Sequence, residues 1–258
     1  MADGSAGIAA LQGKVSDDEW KVRVELAALY RLVAHFGWDD MIYTHLSARV
    51  PGPEHHFLIN PYGMWFSEIT ASSLVKIDCD GNILQDTPYF VNRAGFTIHS
   101  AVHMNRDDAH FVMHLHTDQG AAVAAQKEGL LPLTQHALIV LPRLSYHDYE
   151  GVALDLDERE RLVRDLGPTN NLMLLRNHGT LALGRTAGEA WNGMFYLERA
   201  CKMQVMALSA GRENVLLSPA PAHRQMRNTT PAERPVGGGL AWPGALRLLE
   251  RVSPGYDA

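Results

Sequence analysis

The spacing of apolar residues predicts a long helix near the start of the chain. Apolar side chains recur every three or four positions from Trp20 to Val33. Ser16 stands just before an acidic turn, which is the pattern of a helix N-cap, and Gly37 follows the last apolar position. We therefore predict an amphipathic helix over 16–37.

Alternating apolar and polar positions predict short strands after this helix. The segments IYTHLSARV and HFLINPYG both alternate and are separated by a Pro-Gly-Pro turn at 51–53. Alternation with a period of two is typical of strands with one buried face. The next segment, SEITASSLVKIDCDGNIL, predicts a helical turn near Thr70, a strand over 75–78 and a two-residue turn at Asp80-Gly81.

The second half of the chain continues with alternating strand and helix patterns. Helical spacing covers 95–105, and the apolar run AHFVMHLHT predicts a buried strand. A helix is expected around DQGAAVAAQKEG, and then a loop and strand pair in LLPLTQHALIVLP and SYHDYEGVAL. The remaining predicted elements are a helix over 157–166, two strands in LMLLRNHGTLALG bent at His178-Gly179, and a long helix opened by Thr186 and closed by Gly211.

This order of elements predicts an α/β fold with α/β/α layers. Strands joined by hairpins lie in the middle of the chain, with helices before, between and after them, which favours a central, mainly antiparallel sheet between helical layers. We predict a flexible N-terminus over 1–15 and one domain over 16–218. Composition shifts after Ser218, so 219–258 is predicted to be a C-terminal extension that packs on a neighbouring subunit.

Composition and charge argue against nucleic acids and membranes as binding partners. The net charge is −6 and the pI about 6.1, so the chain lacks the basic character of nucleic-acid binders. No segment approaches the roughly 20 consecutive apolar residues of a membrane span. The two cysteines, Cys79 and Cys201, are too far apart in sequence for a metal-spaced or redox pair. We expect a cytoplasmic protein with no nucleic-acid or membrane partner.

A histidine pair is the main candidate for chemistry. His114 and His116 lie two residues apart in VMHLHTDQG, and residues at that spacing on a strand point to the same face. About sixty residues further on, His178 follows Asn177 and precedes Gly179 at a predicted bend. Three imidazoles with an open position are typical of catalytic zinc sites. Buried histidines also occur in ordinary cores, so spacing alone leaves both interpretations open.

Several ordered motifs together resemble one family. HLHT, the later RNHG, and the earlier INPYG, ITASSLVKID and AGFTIHSAVHMNRDDAH resemble the class II aldolase and adducin head domain family over about residues 20–210. The resemblance implies a central sheet between helical layers and, usually, a ring-shaped homotetramer with active sites between subunits. It also implies a Zn²⁺ ion on His114, His116 and His178, with another divalent metal as the alternative.

Two departures from the family pattern change the expected substrate. In the sugar-phosphate aldolases of this family zinc polarises a carbonyl while a nearby carboxylate moves a proton. That carboxylate falls at Gly95 here, four residues before His99. The phosphate-binding serines fall at Arg93-Ala94, and the second phosphate turn, over 60–63, keeps only Gly63. These changes favour a non-phosphorylated substrate, with Arg93 as the partner of a carboxylate.

Other polar residues are candidates for the missing proton carrier. His136 falls where the family places a tyrosine from the adjoining subunit, and SYHDYEG supplies His147, Tyr149 and Glu150. Each of these has the alternative of an ordinary loop residue. The expected substrate-binding residues are Asn60, Gly63, Arg93 and His99. For His99, a role in supporting the metal ligands is also open.

We predict a zinc-dependent lyase of the class II aldolase type that cleaves a C–C bond by retro-aldol reaction or decarboxylation. Its substrate is a small molecule that bears a carboxylate and no phosphate. A metal-dependent epimerase is one alternative. Another is a non-catalytic, adducin-like assembly module with a structural zinc.

Overall fold

The computed structural model describes residues 10–151, 158–228 and 239–258. In these ranges the helices are α1 Asp17–His35, α2 Arg93–Asn105, α3 Asp118–Ala124, α4 Gln135–Val140, α5 Glu158–Leu166, α6 Ala187–Leu208, α7 Ala220–Asn228 and α8 Ala241–Val252. The strands are β1 His45–Arg49, β2 Phe57–Ile59, β3 Val75–Ile77, β4 Phe111–Leu115, β5 Leu144–His147, β6 Leu172–Leu175 and β7 Gly179–Gly184.

The seven strands form one sheet in the order β3-β2-β1-β4-β7-β6-β5. All neighbouring pairs are antiparallel except β5 and β6, which are parallel. The predicted α/β class with a mainly antiparallel sheet is confirmed. Strand β4 lies in the middle of the sheet between β1 and β7, so the residues at its end have neighbours from two other strands.

Helices cover both faces of the sheet. Neighbouring residues of β4 point to opposite faces: Met113 joins the core under α1 and α6, while Val112 joins the core under α2 and α5. His114 is two residues after Val112 and therefore points to the α2 face. The layered arrangement places this histidine beneath the first turns of α2.

The helix boundaries follow from side-chain caps that the sequence predicted. The Ser16 hydroxyl accepts the amide hydrogen of Glu19 at 3.2 Å, and Thr186 accepts that of Glu189 at 3.1 Å. Such caps satisfy amide groups that have no partner inside the helix. The predicted strands in IYTHLSARV, AHFVMHLHT and LMLLRNHGTLALG are also confirmed.

The loop and strand prediction for LLPLTQHALIVLP and SYHDYEGVAL did not include a helix, and for the first segment this was wrong. Residues Gln135–Val140 form helix α4, because Thr134 caps it by accepting the amide hydrogen of Ala137 at 3.2 Å. Ala137, Leu138 and Val140 are buried on one side of this short helix, which packs on α6. The branched residues Ile139 and Val140 favour strands locally, but packing against α6 overrides that preference.

The C-terminal extension packs on its own chain. Helix α8 contacts α1 and α6, and Trp242, Leu249 and Tyr256 belong to the main core. The amide of Ala71 donates to the Tyr256 carbonyl at 2.8 Å. These contacts lie within one chain, so the predicted packing of 219–258 on a neighbouring subunit stays a prediction.

The predicted flexible N-terminus lies outside the described residues over 1–9. Leu11, which is described, donates its amide hydrogen to Ser72 at 3.1 Å. Among the helices in the described ranges, none combines the length and the apolar character that crossing a bilayer requires.

Candidate metal centre

His114, His116 and His178 come together at the end of β4. One nitrogen from each lies within 4.8 Å of the nitrogens from the other two. The ring centroids are 4.7 to 4.8 Å apart, and Nε2 of His114 is 3.0 Å from Nε2 of His116. The structure thus brings together the three residues that the sequence predicted as metal ligands.

Hydrogen bonds fix the orientation of two of these rings. Nδ1 of His114 lies 3.0 Å from the Thr180 carbonyl oxygen, and Nδ1 of His116 lies 3.1 Å from Oδ2 of Asp40. Both oxygens are acceptors, so each Nδ1 carries the hydrogen and each neutral ring leaves Nε2 unprotonated. Asp40 was not predicted from the sequence as part of the site.

These hydrogen bonds make the pair of Nε2 atoms suited to a cation. Two unprotonated nitrogens cannot donate to each other, so their 3.0 Å approach is unfavourable without a positive centre between them. Neutral imidazole nitrogens are good ligands for zinc and related divalent metals. The residues therefore fit a metal ion held by His114, His116 and His178.

His178 is placed by an unusual turn between β6 and β7. Asn177 has a φ of 56°, in the left-handed region that asparagine tolerates better than most residues. Gly179 follows, and a Cβ there would collide with the Leu115 carbonyl oxygen. The Asn-His-Gly sequence is therefore needed for the close approach of β7 to the end of β4, which carries His178 to the other two ligands.

Burial favours the neutral form of two of the three imidazoles, those of His178 and His114. Burial is the largest cause that lowers the pKa of His178 to about 4, with further contributions from His116 and His147. The pKa of His114 is lowered well below its usual value, first by burial and then by the neighbouring histidines. Neutral rings are ready to bind metal near pH 7, because no proton needs to leave first.

His45 is a neighbour of the centre that the sequence analysis missed. It pairs directly with His114 across β1 and β4, and the two ring centroids are 5.5 Å apart. A Cβ at position 95 would overlap the His45 imidazole. The ring thus occupies space beside Gly95, the position where the family resemblance places a carboxylate.

Glu198 is a third residue that the sequence analysis missed, after Asp40 and His45. It is buried beneath the centre, where it accepts hydrogen bonds from Thr117 at 2.5 Å and from Thr180 at 2.7 Å. Thr117 follows His116, and the Thr180 carbonyl orients His114. Burial raises the pKa of Glu198 to about 7, and the two threonines partly oppose this shift.

No local pattern in the sequence marks His45, Asp40 or Glu198 as site residues. Each lies far along the chain from the histidines that it approaches. Only pairing of β1 with β4, and packing of α6 under the sheet, brings them close. His45 could have been predicted as a site residue only by first predicting that β1 pairs with β4 and places His45 opposite His114.

The predicted catalytic residues occupy different environments. The exposed Tyr149 lies near the centre, with its ring centroid 6.1 Å from that of His178. His147 is buried and donates from Nδ1 to Asp165 at 2.8 Å. His136 packs its ring 5.4 Å from that of Tyr196 on α6. Among the described residues, the structure thus brings Tyr149 to the ligands and ties His147 and His136 to other partners.

The predicted substrate-binding residues are likewise divided. Asn60 is buried and accepts a hydrogen bond from Tyr30 at 2.9 Å, while Gly63 is exposed in a turn with a φ of 109°. His99 is buried, and both of its ring nitrogens contact protein side chains. Arg93 begins α2, but its side chain lies outside the part of the chain that the structure describes.

Comparisons with known proteins agree with this fold. Residues 24–205 match the family described as class II aldolase and adducin N-terminal domain. A Caulobacter vibrioides protein, whose name assigns it only provisionally to class 2 aldolases, is 68% identical over 99% of both chains. Alpha-adducin of Rattus norvegicus is 43% identical over 86% of this chain and 31% of its own length.

A solved structure shows the same architecture. The aldolase II superfamily protein from Pseudomonas syringae has a TM-score of 0.90 and 47% sequence identity, with 97% of this chain and 100% of that chain covered. The family match covers most of the chain, from within α1 to within α6, and so includes all seven strands of the sheet. The chain belongs to the class II aldolase and adducin N-terminal domain family.

Proposed function

We propose that this protein is a metal-dependent lyase of the class II aldolase type that cleaves a C–C bond in a non-phosphorylated, carboxylate-bearing substrate. The observation that carries the proposal is the convergence of His114, His116 and His178, in which Nε2 of His114 lies 3.0 Å from Nε2 of His116. Three histidines leave coordination positions for a substrate, which is the arrangement of catalytic rather than structural sites.

A bound divalent ion, which we expect to be Zn²⁺, supplies a Lewis acid that polarises a substrate carbonyl. The chain's own contribution is to hold and orient its ligands. The Thr180 carbonyl and Asp40 keep two of the imidazoles in the tautomer that presents Nε2. The burial of His114 keeps bulk water away from one side of the centre.

Among the described residues, Tyr149 is well placed to move a proton. Its ring lies beside His178 and about half of it is exposed, so a substrate at the open side of the centre can reach the hydroxyl. A positioned phenol can give a proton to a leaving carbon or oxygen and take one back. His136 from an adjoining subunit remains the second proposed proton carrier, as the family resemblance implies.

The adducin relatives favour a second candidate function. Alpha-adducin of Rattus norvegicus is 43% identical over 227 aligned residues, so an assembly module with a structural metal is the main alternative. Such a module needs the histidines for stability and has no need to admit a small ligand. Access of small molecules to the metal therefore separates the two functions.

The test is calorimetric titration of zinc-loaded protein with glycolate and with pyruvate. We expect binding of at least one of these acids to wild type and a loss of binding in the His178→Ala variant. A screen of 2-hydroxy and 2-oxo acids for C–C cleavage should then identify a substrate whose turnover falls in Tyr149→Phe. Fully metal-loaded protein that binds none of these acids would support the assembly module instead.

We further propose that the protein acts as a homotetramer on a small molecule in the cytoplasm. The two cysteines are free thiols, which agrees with a reducing compartment. The proposed partners include no nucleic acid and no membrane, in line with the net negative charge.

A further inference from the structure

A row of buried polar groups leads from the end of α2 to the metal centre. Nδ1 of His103 is 2.7 Å from the Ala109 carbonyl oxygen, and its Nε2 is 2.7 Å from the Ser47 hydroxyl. The same hydroxyl is 2.5 Å from Nδ1 of His99, whose Nε2 is 3.2 Å from Nδ1 of His45. We call His103, Ser47 and His99 the relay.

The group farthest from the metal centre, the Ala109 carbonyl, sets the direction of every hydrogen bond in the row. The Ala109 carbonyl can only accept, so Nδ1 of His103 carries a hydrogen and its Nε2 accepts from Ser47. Ser47 has then donated its one hydrogen, so it accepts from Nδ1 of His99. Nε2 of His99 in turn accepts from Nδ1 of His45, which leaves Nε2 of His45 unprotonated.

This assignment requires neutral rings, and burial provides them. Burial is the main cause that lowers the pKa of His99 and of His103 to about 3. With His99 and His103 neutral near pH 7, one pattern of donors and acceptors fits all four contacts.

The backbone also holds His45 in a defined place. Thr44 has a φ of 63°, which is strained for a branched side chain, and its buried hydroxyl lacks a hydrogen-bond partner among the described residues. Strain of this kind persists where the surrounding structure enforces it, often at functional sites. None of the hydrogen bonds between described residues uses Nε2 of His45.

We propose that His45 is a specificity-determining residue whose Nε2 accepts a hydrogen bond from a substrate hydroxyl group at the metal centre. The relay leaves Nε2 of His45 without a hydrogen, so this nitrogen can only accept. The absence of a side chain at Gly95 makes room for the ring. The inference rests on the proposed function, because it assumes that a small ligand binds beside His114. It adds that this ligand is a hydroxy acid and that the protein recognises it by its hydroxyl group.

The first test measures tautomers directly in the metal-free and zinc-loaded protein. Nitrogen-15 NMR of the histidine rings should show hydrogen on Nδ1 and none on Nε2 for His45, His99 and His103. Ser47→Ala should change the His99 and His45 signals, because it removes the central link. Ser100→Ala is the matched control, since this buried serine donates to the Thr97 carbonyl outside the relay. A hydrogen on Nε2 of His45 in wild type would overturn the proposal.

The second test compares glycolate with acetate, which differ by one hydroxyl group. In zinc-loaded protein the ratio of the acetate Kd to the glycolate Kd should fall about five-fold in His45→Leu, the loss expected for one hydrogen bond. His45→Gln, which keeps a side-chain acceptor, should retain most of the ratio. Metal content and thermal unfolding confirm that each variant is folded and loaded, and the tautomer test in wild type stands if a variant fails to fold.

The outcomes separate this inference from the proposed function. If glycolate binds and the ratio is the same in wild type and His45→Leu, the inference is wrong and the proposed function stands. If glycolate and pyruvate bind to no metal-loaded form, the proposed function is wrong and the substrate contact of His45 is wrong with it.

Discussion

The imidazole of His45 lies against the backbone of Gly95, in the space that any side chain at position 95 would occupy. His45 is on β1 and Gly95 is in the first turn of α2, so the contact joins the sheet to the helical layer above the metal centre. The two positions are therefore coupled: an imidazole at 45 requires a glycine at 95.

This contact predicts the behaviour of Gly95→Ala. The added methyl group would overlap the His45 ring, and we expect a loss of about 1–3 kcal/mol in the free energy of unfolding. In a His45→Ala background the same change should cost much less, because the space is open. Urea unfolding of the two single variants and the double variant measures the coupling. Gly244→Ala in α8, where a Cβ has room, is the control. Equal losses in both backgrounds would contradict the contact.

Metal content should depend on each of the three histidines. Single changes of His114, His116 or His178 to Ala should lower the bound zinc measured by mass spectrometry after dialysis, because each removes one ligand nitrogen. His110→Ala is the matched control: this exposed histidine lies next to β4 and contacts the Arg185 carbonyl. Full metal occupancy in all three ligand variants would show that the site assignment is wrong.

Glu198 predicts a pH dependence of stability. Its folded pKa of about 7 lies above the ordinary glutamate value of 4.5, so the folded state binds the proton more tightly than the unfolded chain does. This contribution is fully present below about pH 4.5 and is lost as the pH rises through 7. It amounts to at most about 3 kcal/mol.

Glu198→Gln should remove this dependence. Relative to wild type, the variant should gain stability between pH 5 and pH 8 in chemical unfolding of the metal-free protein. Glu189→Gln, on the same helix but partly exposed, should leave the pH profile as in wild type. Parallel profiles for wild type and Glu198→Gln would mean that the buried carboxyl does not titrate in this range.

Phosphorylated sugars should be poor substrates. The residues at the family's phosphate-binding serines are Arg93 and Ala94, which cannot offer the same pair of hydroxyl donors. In kinetic assays the turnover of fuculose 1-phosphate should be negligible compared with the turnover of a carboxylate substrate. For that substrate Arg93→Ala should raise KM more than it lowers kcat, if the guanidinium binds ground and transition states alike. Efficient cleavage of the sugar phosphate would refute this specificity.

Mixed oligomers test whether the active site is shared between subunits. If His136 acts on the metal centre of an adjoining chain, inactive His136→Ala and His178→Ala subunits should recover part of the activity when combined. Recovery follows because some interfaces pair an intact centre with an intact His136. The measurement is turnover after mixed reassembly, with chain exchange verified by mass spectrometry. Exchanged oligomers with no recovery, or a fully active monomer, would argue against a shared site.

The sequence by itself determined most of the secondary structure and identified the three histidines that meet at the candidate metal centre. Helix α1 begins at Asp17 because its N-cap, Ser16, is encoded locally, and the apolar run AHFVMHLHT carries its last two histidines at a fixed spacing. The Asn177-His178-Gly179 turn is also local, since its conformation depends on the residues themselves. Signals of this kind depend on residues that are neighbours in the sequence, so the amino-acid sequence alone is enough to predict them.

The tertiary structure alone decided which other residues surround the centre. His45 reaches His114 through pairing of β1 with β4, and Glu198 reaches Thr117 through packing of α6 under the sheet. The same long-range packing made Gln135–Val140 a helix against its local preference for a strand. These contacts depend on register and burial between segments far apart in the chain, and local patterns do not contain that information.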